Sequence, residues 1–425
     1  MINQSTIIIA IFLIIVTFVV PRKYFMLPFI VCACFVPADQ RVIIFDLDFT
    51  PLRILVAIGV FRLWIRGEIT HIRWNKFDKI ILLWASVGAV IYVLQWQDMR
   101  SLIYKCGVLF DILGLYWMFR QNMRSWADIH FMFAAFAMCA LIMLPLVLLE
   151  CTTGKNLFSI LGEVGTEVRP SGRYRCQASF PHSIIMGLFW ANLVPIFFVL
   201  GATNRSSKFF YWLACAANVL MVIATNSSTP IVTLMAITLL LILYRYRSYG
   251  RRIAYILFGI AVILHLVMKA PVWHLPSRMN VVGGSTGYHR YKLIDNAIEY
   301  FHEWALLGTR STVHWGWAQK DITNQYIFEA VTGGLITLLI FLVLMFQAVT
   351  IMSNYSMHGA TLNQRWLCWG ICVSILGHCI SFLGVSYFGQ IRMLLFLTFS
   401  VVGFVCGMCN TKHQSFESKV SFFDA

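Results

Sequence analysis

Thirteen mostly apolar runs divide this 425-residue chain, near 4–20, 24–37, 51–65, 79–95, 101–119, 129–149, 182–201, 208–225, 228–244, 252–269, 324–349, 366–384 and 389–409. A helix that crosses the hydrocarbon layer needs about 20 predominantly apolar residues. In that medium a helix is the simplest segment that satisfies its own backbone. The runs therefore predict an all-α, polytopic integral membrane protein with about twelve to thirteen transmembrane helices by the length rule. The second run is short enough to be re-entrant. Only 12% of residues are charged, against about 25% in a soluble domain. That excludes an ordinary soluble enzyme, a disordered chain and a coiled coil.

The charges orient the runs. Basic residues recur after alternate spans: Arg62, Arg66, Arg73, Lys76 and Lys79, then Arg120 and Arg124, Arg205 and Lys208, and Arg245, Arg247, Arg251 and Arg252. Arg365, Lys412 and Lys419 continue the pattern. That side is expected to be cytoplasmic. The excess of Lys+Arg, 33 against 18 Asp+Glu, then reports loops facing the cytoplasm, and no nucleic-acid partner is implied. The chain reads as one transmembrane domain over 1–425 with outer segments at 38–50, 150–181 and 270–323. Neither the pattern of a removable leader nor zinc spacing among the 12 cysteines is evident. Most cysteines lie in apolar runs and read as small buried hydrophobes. Cys151 and Cys176 bracket the second outer segment; a bond between them would close it, and two buried thiols are the other reading.

The outer segments carry arginines where the orientation rule disfavours them. Segment 150–181 has Arg169, Arg173 and Arg175, segment 270–323 has Arg278, Arg290 and Arg310, and Arg53 opens the third span. Arginine offers a rigid, permanently charged fork that matches phosphate oxygens. Lipid-headgroup contacts, or ion pairs with Glu163, Glu167, Asp295 or Glu303, would explain any one of them; together they point to an anionic ligand. In the large segment Leu293, Ile294, Ala297, Ile298, Phe301 and Trp304 recur at helical spacing. This predicts an amphipathic helix at about 286–306, capped by Ser285 or Thr286 and ended by Gly308. Arg290 falls in its first turn, where free backbone N–H groups also attract anions. His302 follows Glu299 on the polar side, and Gly283–Gly284 makes a turn before the helix. A helix that merely packs as a cap is the plainer reading.

Three stretches together resemble the O-antigen ligase and polymerase superfamily, multi-spanning glycosyltransferases of the GT-C type. The first is Arg175-Cys176-Gln177-Ala178-Ser179-Phe180-Pro181-His182, leading into a span with Gly187 and Pro195. Ala178 stands where the family has glycine. The second is the turn Thr225-Asn226-Ser227-Ser228-Thr229-Pro230. The third runs from Arg290 through Trp304 and Leu307-Gly308 to Asn324-x-Tyr326 and Gly333-Gly334. The similarity covers the chain from about the third span to the eleventh and is nearest to exopolysaccharide-cluster members, on Asp321-Ile322-Thr323-Asn324. The family's histidine before the asparagine is Thr323 here.

The resemblance implies transfer of a glycan from an undecaprenyl-diphosphate donor to a glycan or lipid-linked acceptor, in surface or exopolysaccharide assembly. The site would lie on the outer, periplasmic face of a bacterial inner membrane, among membrane lipids. No metal and no cofactor is expected, so cationic side chains must stabilise the leaving diphosphate. Arg175 and Arg290 are the matched positions; Arg173, Arg278 and Arg53 are neighbours by argument. Asp321, His302, His314 and His182 are the candidate bases, with His182 more naturally a polar helix cap. Asn324 and Tyr326 complete the third motif. Polymerase, O-antigen ligase and protein glycan ligase stay open. A metal-dependent alternative would use Asp46-Leu47-Asp48, which also suits a helix N-terminus. The alternative of another class is a precursor transporter or flippase, for which Asp111 and Glu329 are the acidic residues within spans. The outer Tyr and Trp residues read first as an aromatic belt and second as sugar-stacking surfaces.

Overall fold

A computed structural model describes residues 3–44, 47–169, 172–275 and 287–423. Asp46, Arg278, Gly283, Gly284, Ser285 and Thr286, all used in the sequence reading, lie outside these. Helices follow one another almost throughout: α1 (Gln4–Val19), α2 (Leu27–Phe35), α3 (Pro51–Ile65), α4 (Lys76–Trp96), α5 (Met99–Asn122), α6 (Trp126–Thr153), α7 (Ser183–Thr203), α8 (Lys208–Ala224), α9 (Ser228–Ile242), α10 (Gly250–Val267), α11 (Gly287–Glu299), α12 (Gln325–His358), α13 (Leu362–Ser381) and α14 (Ile391–Phe423). Among the described residues seven helical stretches are long and apolar enough to cross a membrane, and the architecture fits a multi-pass membrane protein. α2 has only nine residues, about 14 Å at 1.5 Å per residue, which is too short to cross the hydrocarbon layer. Two hairpins interrupt the helices: β1 (Val42–Ile44) with β2 (Leu47–Phe49), and β3 (Glu167–Val168) with β4 (Tyr174–Arg175).

The basic residues gather at one end of the bundle. Arg62 donates to the Val20 carbonyl at 2.8 Å, Arg120 pairs with Asp78 at 3.2 Å, and Arg22 reaches Asp128 at 3.7 Å. Arg247 donates to the Ser356 carbonyl at 3.3 Å and Arg365 to that of Gly359 at 2.7 Å. α9 and α10 form 40 helical residues, twice a span, joined by the 3-10 segment Leu243–Tyr249. Ser227, just before α9, bonds to Arg175, and the segment after α10 packs on α11, so both far ends lie at the loop end. The chain therefore reverses at its cluster of arginines, as the charge pattern predicts. α7, packed on α8, α9 and α13, is buried along most of its length and forms the centre of the bundle.

At the loop end, two anchors hold the outer segments. The first is Glu150, in the last turn of α6. It accepts from the backbone N–H groups of Gln177 (3.0 Å) and Ala178 (2.9 Å) and from the Thr166 hydroxyl (2.8 Å). Ala178 has φ 50°, the left-handed region, at the position where the family the chain was seen to resemble has glycine. An L-residue there costs about 1–2 kcal/mol, which the Glu150 bonds offset. Cys176 and Cys151 are both free thiols in contact with each other, so the second outer segment is closed by packing.

Glu163 lies in the same segment at 6% exposure, with Oε2 lacking a partner among the described residues. Burial pushes its carboxyl up to about 7, and the carboxylates of Asp39 and Glu150 push the same way. A folded value above the unfolded one means that protonation favours the fold. The penalty is absent at low pH, grows as pH rises through about 4.5, and is complete above 7. Glu163→Gln is therefore expected to match the parent at pH 4 and to exceed it at pH 8, by on the order of 2–3 kcal/mol. Thermal unfolding at the two pH values checks this; equal stability at pH 8 would remove Glu163 as a strained group.

The second anchor is a backbone lock between the large segment and α12. Gly334, at φ 68°, breaks α12. The break lets Leu335 N–H donate to the Ala305 carbonyl (2.9 Å) while Thr309 N–H donates to that of Val331 (2.8 Å). The helix predicted at 286–306 is α11 followed by a break at Tyr300 and one turn, Phe301–Trp304. Leu293, Ala297 and Trp304 are buried with Trp315, Ile327, Ala330 and Val331. Ile298 and Phe301 of the predicted apolar face remain exposed.

Candidate anion site

The hairpin β3–β4 and the turn between α8 and α9 are bound to each other. Asn226 donates to the Tyr174 carbonyl at 2.7 Å and Cys176 N–H to the Ala224 carbonyl at 3.3 Å. A Cβ on Gly187 of α7 would lie 2.7 Å from Pro230, so the first and second motifs pack as one surface. Arg175 ends β4. Its guanidinium donates to Glu167 Oε2 (2.6 Å), its cross-strand neighbour, and to Ser227 Oγ (3.1 Å). α11 brings Arg290 to the same place. A cavity of about 330 Å³ results, walled by Arg169, Arg175, His182, Ser227–Thr229, His289, Arg290, Asp321, Thr323 and the 384–388 segment.

The polar atoms around this cavity are poorly satisfied. Arg175 Nε, Arg290 Nε, His289 Nδ1, Thr229 Oγ1 and Thr323 Oγ1 are buried without a hydrogen-bond partner among the described residues. Buried polar groups are normally paired, because an orphan costs about 1–3 kcal/mol. Arg290 has no carboxylate at ion-pair distance among the described residues, and burial alone lowers its guanidinium below the ordinary value. Burial also lowers Arg175, with Glu167 opposing and Arg169 reinforcing the shift. Three guanidinium groups thus face one small cavity whose only lining carboxylate among the described residues is the exposed Asp321. Such an arrangement has the charge and donors to bind a multivalent oxyanion.

Two histidines are set in opposite ways. His182 is the N-cap of α7: its Nδ1 accepts from Ile184 N–H at 3.1 Å. Nε2 then carries the proton of the neutral ring. Burial, then the charge of Arg175, holds His182 below the usual histidine range, so it is a neutral donor at pH 7. His289 lies 3.0 Å through Nε2 from the Asp321 carbonyl oxygen, which can only accept. Nε2 therefore donates, and the orphaned Nδ1 is left as a lone pair in the neutral ring.

Other predicted positions fall elsewhere. Arg53 is held by Asp111 through both carboxylate oxygens (2.7 and 2.5 Å) and lines a different cavity. Arg173 is exposed in the β3–β4 turn and does not line this cavity. Arg310 donates to the Gln95 carbonyl at 2.7 Å. His302 is exposed, and His314 pairs with Glu303 at 2.8 Å; neither lines the cavity. Asn324 is the N-cap of α12, accepting from Tyr326 and Ile327 N–H at 2.9 and 3.2 Å, and Tyr326 donates to the Cys379 carbonyl at 3.0 Å. These two shape the helix start. Asp48 pairs with Arg41 at 3.3 Å. The sequence reading missed His289 and the 384–388 segment. His289 precedes a matched arginine, and the polar break Gly384–Gln390 between two spans at the loop end was the available signal for the other. No family model matches the chain, and no curated protein matches it.

Proposed function

We propose that this chain is a glycosyltransferase of the GT-C kind that uses a polyprenyl-diphosphate-linked glycan as donor. In this reading it is a polymerase, or a ligase sharing the same site, in the bacterial inner membrane, and the cavity opens to the periplasmic face. The observation that carries the proposal is the convergence of all three motif regions on one cavity with unsatisfied arginine donors. Arg175 and Arg290 take the diphosphate, and His182 Nε2–H adds a neutral donor. The acceptor hydroxyl gives its proton to His289 Nδ1, and its oxygen bonds to the anomeric carbon. The bond from that carbon to the diphosphate oxygen breaks, and the electron pair leaves on the diphosphate, where the arginines stabilise it. Asp321 holds the His289 ring through its backbone carbonyl. The cations that stabilise the leaving diphosphate are side chains of the protein itself.

Purified protein in vesicles, given an undecaprenyl-diphosphate oligosaccharide, is expected to lengthen it or to transfer it to a glycan acceptor. A protein that binds the donor but only moves it across the bilayer would replace the reading with a transporter. The placement of the site has its own test. Single cysteines at Leu306 or Trp317, 84% and 87% exposed, should react with an impermeant reagent from outside the cell. Cysteines at Gly67 or Tyr249 should react only after permeabilisation. The reverse pattern would put the cavity on the wrong face for a donor whose glycan is displayed outside.

A further inference from the structure

A second cavity of about 330 Å³ lies between α3, α4, α5, α12 and α14, and Phe388 belongs to the walls of both cavities. Its volume falls in the range of small-molecule sites, about 300–1,000 Å³. Most of its wall is apolar, with Val56, Leu109, Ile112, Phe341 and Phe396 among the lining residues. Against that wall stand three acidic and three basic side chains: Asp39, Asp111 and Glu329, and Arg53, Lys105 and Arg392.

Their partners are unevenly distributed. Arg53 and Asp111 neutralise each other in a two-pronged pair. Glu329, 6% exposed, takes neutral donors: Gln325 Nε2 at 2.7 Å and Trp84 Nε1 at 3.1 Å. Asp39 is exposed, and the charge of Glu329 acts on both Lys105 and Arg392, but without contact. Among the described residues neither has a carboxylate within ion-pair distance. Lys105 Nζ sits 4.2 Å above the Tyr92 ring, and Arg392 donates Nε to the Tyr387 carbonyl at 2.9 Å. Lys105 is six residues into α5, about 9 Å along its axis from Met99. At that depth an ammonium with no contacting carboxylate among the described residues is costly, and such a residue marks a functional position. Val108, Leu109, Phe328 and Thr332 line the cavity where α5 and α12 flank α4, and all four are partly exposed. The cavity is therefore open where acyl chains would lie.

We infer that this second cavity binds one acidic lipid, its phosphate between Lys105 and Arg392 and its hydrocarbon along the apolar wall. The inference does not depend on the transferase reading: the site needs a membrane and two cations with no carboxylate in contact among the described residues, and no glycan. A phospholipid of the bilayer and a polyprenyl phosphate present the same chemistry to it, a phosphate on an apolar chain.

Delipidated protein in neutral detergent tests the inference, with thermal unfolding followed during titration by phosphatidylglycerol, undecaprenyl phosphate, phosphatidylcholine or inorganic phosphate. At least one of the two acidic lipids should raise the unfolding temperature at far lower concentration than phosphatidylcholine; which one does so identifies the natural source. Lys105→Met should weaken that lipid about tenfold or more, the worth of one hydrogen bond to a charged group. Lys105→Arg should retain binding. Arg290→Ala, in the other cavity, should leave phosphatidylglycerol binding unchanged. Responses to both acidic lipids no stronger than that to phosphatidylcholine in the parent protein would overturn the inference without any variant. So would unaltered binding in Lys105→Met, or an effect reproduced by inorganic phosphate alone.

Discussion

Arg290→Ala is expected to lower glycan transfer about 10²–10³-fold, the usual worth of one donor aimed at charge developing in a transition state. The expectation rests on a guanidinium that is buried, lacks a carboxylate partner among the described residues, and faces a cavity shared with Arg175. Arg290→Lys keeps the charge but loses the fork, so it should fall between the parent and the alanine variant. Arg175→Ala should lose less, because Glu167 already meets part of its charge. In the same assay His289→Ala should slow transfer while leaving donor binding intact. Asp321→Asn should be nearly silent, since it is the backbone carbonyl of Asp321 that orients the ring. Normal rates in Arg290→Ala, at normal expression, would make these arginines headgroup contacts.

The second large effect is structural. A Cβ on Gly308 would sit 2.1 Å from the Val331 carbonyl oxygen, and one on Gly334 would sit 2.3 Å from that of Leu306. Both glycines have positive φ, 76° and 68°. An alanine at either position meets rigid backbone and a disfavoured conformation together, at a cost of about 2–4 kcal/mol. The lock between the large segment and α12 would open, and with it the support for α11 and Arg290. Gly334→Ala should therefore unfold at lower temperature, become sensitive to protease between 305 and 323, and lose transfer. A variant with unchanged stability and protease resistance would show that the lock is not what positions the loop helix.

The apolar helices were legible because apolar length is a local signal that each helix carries by itself, and seven stretches among the described residues are long enough to cross a membrane. α2 was ambiguous for the same reason: apolar character identifies burial, while nine residues decide that it stops short. The apolar stripe of α11 was readable at Leu293 and Ala297, yet the break at Tyr300 follows from the tertiary lock at Leu335 and Ala305, which no periodicity encodes. The cavity was partly legible. Arg175, His182, Arg290 and Asp321 were singled out and do converge. Arg53 was grouped with them by charge alone, but Asp111, 58 residues away on α5, holds it in the other cavity. His314 looked available as a base until Glu303 was found beside it. His289 shows the converse: nothing in the sequence says which ring nitrogen is occupied, and the Asp321 carbonyl decides it. The placement of Lys105 of α5 and Arg392 of α14 on one cavity wall had no sequence signal.

The most direct test is a binding cycle for undecaprenyl diphosphate on the parent, Arg175→Ala, Arg290→Ala and the double variant, reconstituted in nanodiscs. If one diphosphate is gripped by both arginines, each single change weakens binding strongly and the double variant is little worse than the poorer single, with a coupling of about 0.5–3 kcal/mol. Parent-like affinity in both single variants, or losses that simply add, would contradict a shared diphosphate site.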